Sequence, residues 1–113
     1  MSTVTLYSFL FSLVGVLFIG ISVPLIQGRV PPNRYYGFRT PKTLSNPDVW
    51  YRANHISGID LFIAGALITV SSLTMMLLAQ RWRPEQVATT LLVVMVFSLV
   101  GVAWHGFVVL KRL

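Results

Sequence analysis

The sequence predicts an all-α membrane protein: three transmembrane helices, with an ordered cytoplasmic loop and a short interfacial helix between the first and second. Three observations carry this. Only 11% of the 113 residues are charged, roughly half the share of a soluble domain. Apolar residues make up 55% of the chain, and the mean hydropathy is +0.73. The few charges are gathered together, leaving three uncharged stretches, each long enough for the about 20 apolar residues of a bilayer crossing. The length allows a single membrane domain. The absence of Cys excludes a disulfide scaffold and cysteine-ligated metals, and the density of Leu, Val and Ile excludes a disordered basic tail.

The first span covers residues 3–26 and holds no ionisable side chain except Tyr7. A secretory signal would need a positive n-region and a shorter apolar stretch, so an uncleaved helix is expected. Pro24 either kinks this helix or marks its exit. The second span covers residues 59–80, with Asp60 at its start. The third covers residues 86–110, interrupted only by His105. Neither has the one-sided pattern of a surface helix. Arg81, Trp82, Arg83 and Pro84 form the tight turn between them. Arg29, Arg34, Arg39, Lys42 and Arg52 precede the second span and Lys111 and Arg112 follow the third, whereas the other side has only Arg81 and Arg83. This bias predicts an outside N-terminus and a cytoplasmic loop and C-terminus. It also gives the net charge of +6 a topological meaning rather than that of a nucleic-acid patch.

The segment 28–58 carries most of the information. Pro31-Pro32 forces an extended start. At Tyr36-Gly37-Phe38 a turn is expected, with Gly37 in a conformation other residues avoid. Ser45-Asn46-Pro47-Asp48 is a helix start: Asn46 or Ser45 can cap, Pro47 suits the first position, and Asp48 suits the positive end of the dipole. The helix that follows carries Val49, Trp50, Ala53 and Asn54 to one side and leaves Arg52 for the phosphate layer. It is expected to lie along the interface and bend near Gly58, with Trp50, Tyr51 and Arg52 at the headgroup level.

The string from Pro31 to Gly58 resembles the signature of the SdpI/YfhL family of bacterial membrane proteins. The matching residues are Asn33, Tyr36, Gly37, Phe38, Arg39, Thr40, Pro41, Thr43, Leu44, Trp50, Asn54 and Gly58. His55 stands where that pattern has Arg or Lys. The resemblance implies a role in immunity, since the namesake members protect producing cells from a secreted toxic peptide. One of them also holds a transcriptional repressor at the membrane. Those members have additional spans, and this chain resembles their signature-bearing part.

Candidate site residues follow from both readings. Asn33, Tyr36, Gly37, Arg39, Thr40, Pro41, Trp50 and Asn54 form either a partner-binding surface or the frame of a structural loop. Arg39 can make a bidentate contact to a carboxylate or phosphate of a partner. Alternatively it braces the loop against Asp48 or Asp60. Arg34 and Lys42 read as topology signals attracted to anionic lipid. Asp60 and His105 fall at similar depth. Asp60, Ala64, Leu67 and Ser71 share one helix face, and Ser98, Gly101 and His105 share another, so the pair can join these faces as a polar clamp or a proton-linked site. Gly15, Gly20, Ser8 and Ser12, with Ala64, Gly65, Thr69 and Ser72, allow close helix approach and are compatible with a homo-oligomer.

No metal site is expected from two histidines in separate segments, no cofactor is implied, and no nucleophile–base pair or phosphate loop suggests an enzyme. The expected partners are the lipid bilayer and a peptide toxin or a membrane or cytoplasmic protein, with no nucleic acid. The leading expectation is a membrane protein whose inner loop binds a peptide or protein partner. The alternatives are a small oligomeric proton-linked transporter or channel, and an accessory subunit of a membrane complex.

Overall fold

Three of the four helices begin where the sequence supplies a side-chain partner for a first free N–H group. In the computed structural model, which describes residues 1–113, α1 (Thr3–Ile26) starts behind Ser2, whose Oγ accepts from the Thr5 N–H. The short α2 (Pro41–Ser45) starts with a capping box, in which the Thr40 and Thr43 side chains each accept from the other's backbone N–H. α3 (Pro47–Leu78) starts at Asn46, whose Oδ1 accepts from the Asp48 N–H at 2.9 Å. α4 (Pro84–Leu110) opens on a proline with Glu85 in its first turn. α1, α3 and α4 are each long and apolar enough to cross a membrane. The chain is a multi-pass, all-helical membrane protein.

A short helix does lie between the first two spans, but it is α2, and the expected bend at Gly58 is absent. The helix that starts at Pro47 continues unbroken for 32 residues to Leu78. The glycine serves close packing instead. A Cβ at residue 58 would lie 2.9 Å from Ile26 Cγ1 and 3.1 Å from Leu25 Cβ, so Gly58 lets the last turn of α1 lie directly on α3. At about 1.5 Å per residue, α3 is eight residues longer than α1. Its N-terminal turns project past Ile26, and residues 28–46 cover them.

α3 packs against both other spans, and α1 and α4 meet over a shorter stretch. The α1–α3 seam closes on small residues, Gly15 against Gly65 and Thr69. Ser8, Ser12, Gly15 and Ser22 are buried on α1, and Ala64, Gly65, Ile68 and Ser72 on α3. At its centre a Cβ on Gly15 would lie 2.7 Å from the Gly65 carbonyl oxygen, and one on Gly65 would lie 2.6 Å from the Gly15 carbonyl oxygen. Gly20, expected to help this approach, points into open space. At the end away from the loop, Val4, Ala79, Val87 and Leu91 close a small core, and Ser2 Oγ donates to Gln80 Oε1 at 2.7 Å.

At the other end, α1 leaves through a glycine stop. Gly28 has φ +69°, Arg29 N–H donates to the Pro24 carbonyl and Gly28 N–H to the Leu25 carbonyl. This closes the helix with the two bonds of a Schellman motif. Pro24 therefore sits in the last full turn.

The seam makes a direct prediction. Gly65→Val forces α1 and α3 apart and is expected to cost about 1–3 kcal/mol, read as a lower midpoint of unfolding in detergent. Gly20→Val leaves the midpoint unchanged.

Candidate functional site

Residues 29–46 fold onto the projecting turns of α3 through a few buried side chains. Trp50 is 0% exposed, and its Nε1–H donates to the Val30 carbonyl at 2.7 Å. One turn later Asn54 is also buried. Its Oδ1 accepts from the Phe38 N–H at 2.6 Å, and its Nδ2 donates to the Trp50 carbonyl at 2.9 Å. Asn54 thereby supplies a partner to a loop amide that would otherwise be stranded away from water. Gly37 crosses directly over this pair. Its φ is +113°, and a Cβ there would lie 2.7 Å from Asn54 Oδ1 and 3.1 Å from Trp50 Cη2. Both the conformation and the space require glycine.

The rest of the loop is braced from within. Asn33 Oδ1 accepts from the Tyr35 and Tyr36 N–H groups at 2.8 and 2.7 Å, while its Nδ2 donates to the Pro31 and Tyr36 carbonyls. Tyr36 donates its phenol O–H to the Ile21 carbonyl in α1, and burial pushes this phenol's pKa above its ordinary value. Thr43, fully buried, donates to the Phe38 carbonyl at 3.0 Å. Thr40 and Pro41 start α2, as described above. The Phe38 ring is pressed edge-on against Phe107, with centroids 5.3 Å apart. It fits because residue 106 is glycine: a Cβ there would lie 2.6 Å from Phe38 Cε2.

The basic side chains of this end have different roles. Arg39 Nε donates to the Asn33 carbonyl at 3.0 Å, and the side chain is otherwise exposed. It braces the loop through a carbonyl rather than through Asp48 or Asp60, and its two terminal nitrogens stay free. Lys42 Nζ donates to the Leu110 carbonyl at 2.7 Å, a cation at the negative end of α4. His55 Nδ1–H donates to the Ile26 carbonyl at 2.7 Å and so closes the end of α1. Arg52 is exposed on α3, beside buried Trp50 and Ala53.

Within the spans, the structure brings Asp60 and His105 together: Nδ1 of the imidazole meets Asp60 Oδ2. The His105 side chain is 52% exposed and that of Asp60 is 19% exposed. The pair stands at the rim of a groove of about 290 Å³ between α3 and α4, which Ala64, Leu67, Ser98 and Gly101 also line. Ser71 is not part of it. His55 lies elsewhere on α3, facing α1, so the two histidines do not converge.

The candidate site read from the sequence leaves out Lys42, and Phe38 and Thr43 enter that reading only through the turn and the signature string. Thr43 was within reach, because Thr40-Pro41 three residues ahead of a second side-chain acceptor is a helix-start pattern. Gly106 carries no local signal, since its partner is 68 positions away in the sequence.

Two outcomes follow. Asn54→Leu leaves the Phe38 N–H without an acceptor, at about 1–3 kcal/mol, and is expected to speed tryptic cleavage after Arg34 and Arg39. Arg52→Gln does not. The raised Tyr36 pKa means that its neutral, hydrogen-bonded form adds stability below about pH 10, lost as pH rises through the raised value. An alkaline absorbance titration should show one late-ionising tyrosine, which Tyr36→Phe removes.

The model of the SdpI/YfhL protein family matches residues 29–108. That range takes in the loop, α2, α3 and nearly all of α4. No curated protein and no solved structure matches the chain. A family match over well over half of the chain, on a structure with three spanning helices, places it: the chain belongs to the SdpI/YfhL protein family.

Proposed function

We propose that this protein binds a peptide or protein partner through its loop, in the manner of immunity proteins, with Arg39 as the central contact. The supporting observation is the state of that side chain. Its Nε is tied to the Asn33 carbonyl while both terminal nitrogens remain free. Asn33 is itself locked by four hydrogen bonds. A guanidinium fixed in this way presents a planar fork suited to a carboxylate, and little side-chain freedom is left to lose on binding. The seven-to-two cation bias supports a bacterial cytoplasmic membrane with the loop and C-terminus inside and the N-terminus outside. The partner is then a cytoplasmic or membrane protein, or a peptide that reaches the inner face.

Asp60 and His105 support a second reading, an oligomeric proton-linked transporter or channel. A carboxylate–imidazole pair in contact along a groove inside the spans is the arrangement such a function would use.

Expression should raise survival under a membrane-active peptide. Arg39→Ala should abolish this at unchanged protein level, and Arg39→Lys should restore it only in part, because an ammonium lacks the fork. Survival unchanged by Arg39→Ala would remove the loop from the function. For the second reading, proteoliposomes should show proton flux that disappears in Asp60→Asn.

A further inference from the structure

A cavity of about 250 Å³ lies under the loop, on the side of α3 where α1 and α4 approach each other. Tyr36 and Phe38 roof it, and Ile21, Leu25, Ser57 and Val102 are among its walls. It is smaller than the about 300–1,000 Å³ of a site that encloses a whole small molecule, so it suits a segment of a longer one. Its lining is apolar apart from Ser57 and the Tyr36 phenol, and that phenol is already committed to Ile21.

Ser57 is the second observation. It is 6% exposed, and its Oγ has no hydrogen-bond partner. The buried hydroxyls of Ser12, Ser22 and Ser72 each donate to a carbonyl three or four residues back in their own helix. Ser57 does not, and neither does Ser8 on α1, but of the two only Ser57 lines this cavity. A buried hydroxyl without a partner is costly, and this one is available to a group that enters the cavity.

Depth and charge identify that group. Ser57 is next to Gly58, which lies on the last turn of α1. Val102 lies eight residues inside the end of α4, about 12 Å down its axis. The cavity thus has a hydrogen-bond donor near its outer end and apolar walls running inward. This is the polarity order of an ester group followed by a hydrocarbon chain. Around it, α1 and α4 end and α3 begins, so seven of the nine Lys and Arg lie at this end of the molecule. Exposed Arg29, Arg34, Lys111 and Arg112 are among them, which favours an anionic headgroup.

We propose that this lateral cavity holds one acyl chain of an anionic phospholipid, with the lipid's ester oxygen accepting a hydrogen bond from Ser57. Arg39 does not line this site, and the proposal does not depend on the loop's role in partner binding.

Native mass spectrometry of the full chain tests it, with dioleoyl phosphatidylglycerol or dioleoyl phosphatidylcholine added to the detergent-solubilised protein. The expected result is a single retained phosphatidylglycerol, with phosphatidylcholine bound about tenfold more weakly. Val102→Trp fills the cavity and should abolish retention. Ser57→Ala removes only an unpartnered hydroxyl, so it should keep the unfolding midpoint of the parent chain while weakening retention several-fold. Equal retention of both lipids, or retention unchanged in both variants, would overturn the proposal. So would a bound peptide mass in place of the lipid.

Discussion

The hydrogen bond from the Phe38 amide to the Asn54 carboxamide fixes the position of everything at the loop end. α3 runs past the end of α1, and its projecting turns offer Trp50 and Asn54 on one face. In water those side chains would be a poorly covered apolar and amide surface, and beside lipid the amide would be unpaired. The loop resolves both at once. Its backbone crosses Asn54 at the one residue without a Cβ, Gly37, and takes the amide as its partner. Once Phe38 is held there, its ring reaches Phe107 and the space over Gly106, and its carbonyl meets Thr43. Thr43 in turn completes the capping box that starts α2, and Lys42 on α2 reaches the end of α4. A single backbone position thus links the loop to both α3 and α4.

This frame divides the cations into two kinds. Lys42 is consumed in capping α4. Arg39 is only half consumed, with one nitrogen used to brace the turn and two left outward. Arg29, Arg34 and Arg52 are exposed. The high pI therefore describes two unlike populations. Some charges hold the fold, and the others give this end of the molecule its field.

What was legible in the sequence depended on how local the cause was. The three spans could be read because hydropathy is a property of each segment alone. The Asn46-Pro47-Asp48 start was legible for the same reason, as was the left-handed turn at Gly37. The periodicity placed Asp60 and His105 on one face each at similar depth, but their contact depends on how α3 and α4 pack and is seen only in the structure. Gly58 was misread because a glycine in a helix signals a bend and a close approach equally well. Only the position of Leu25 and Ile26 separates the two. Lys42 was read as a lipid-facing charge because its partner is a main-chain carbonyl 68 residues away. Nothing in the composition of α4 announces it. The cavity is less legible still, since it exists only where three helices and the loop fail to fill a common space.

Everything at this end follows from a loop that is formed before any partner arrives, and hydrogen exchange at single amides in a lipid nanodisc measures that directly. If Asn54 holds the loop, the Phe38 amide exchanges as slowly as amides inside α3, and in Asn54→Leu it exchanges as fast as the Arg34 amide. Fast exchange at Phe38 in the parent chain would contradict a preformed loop, and with it the fixed geometry of Arg39.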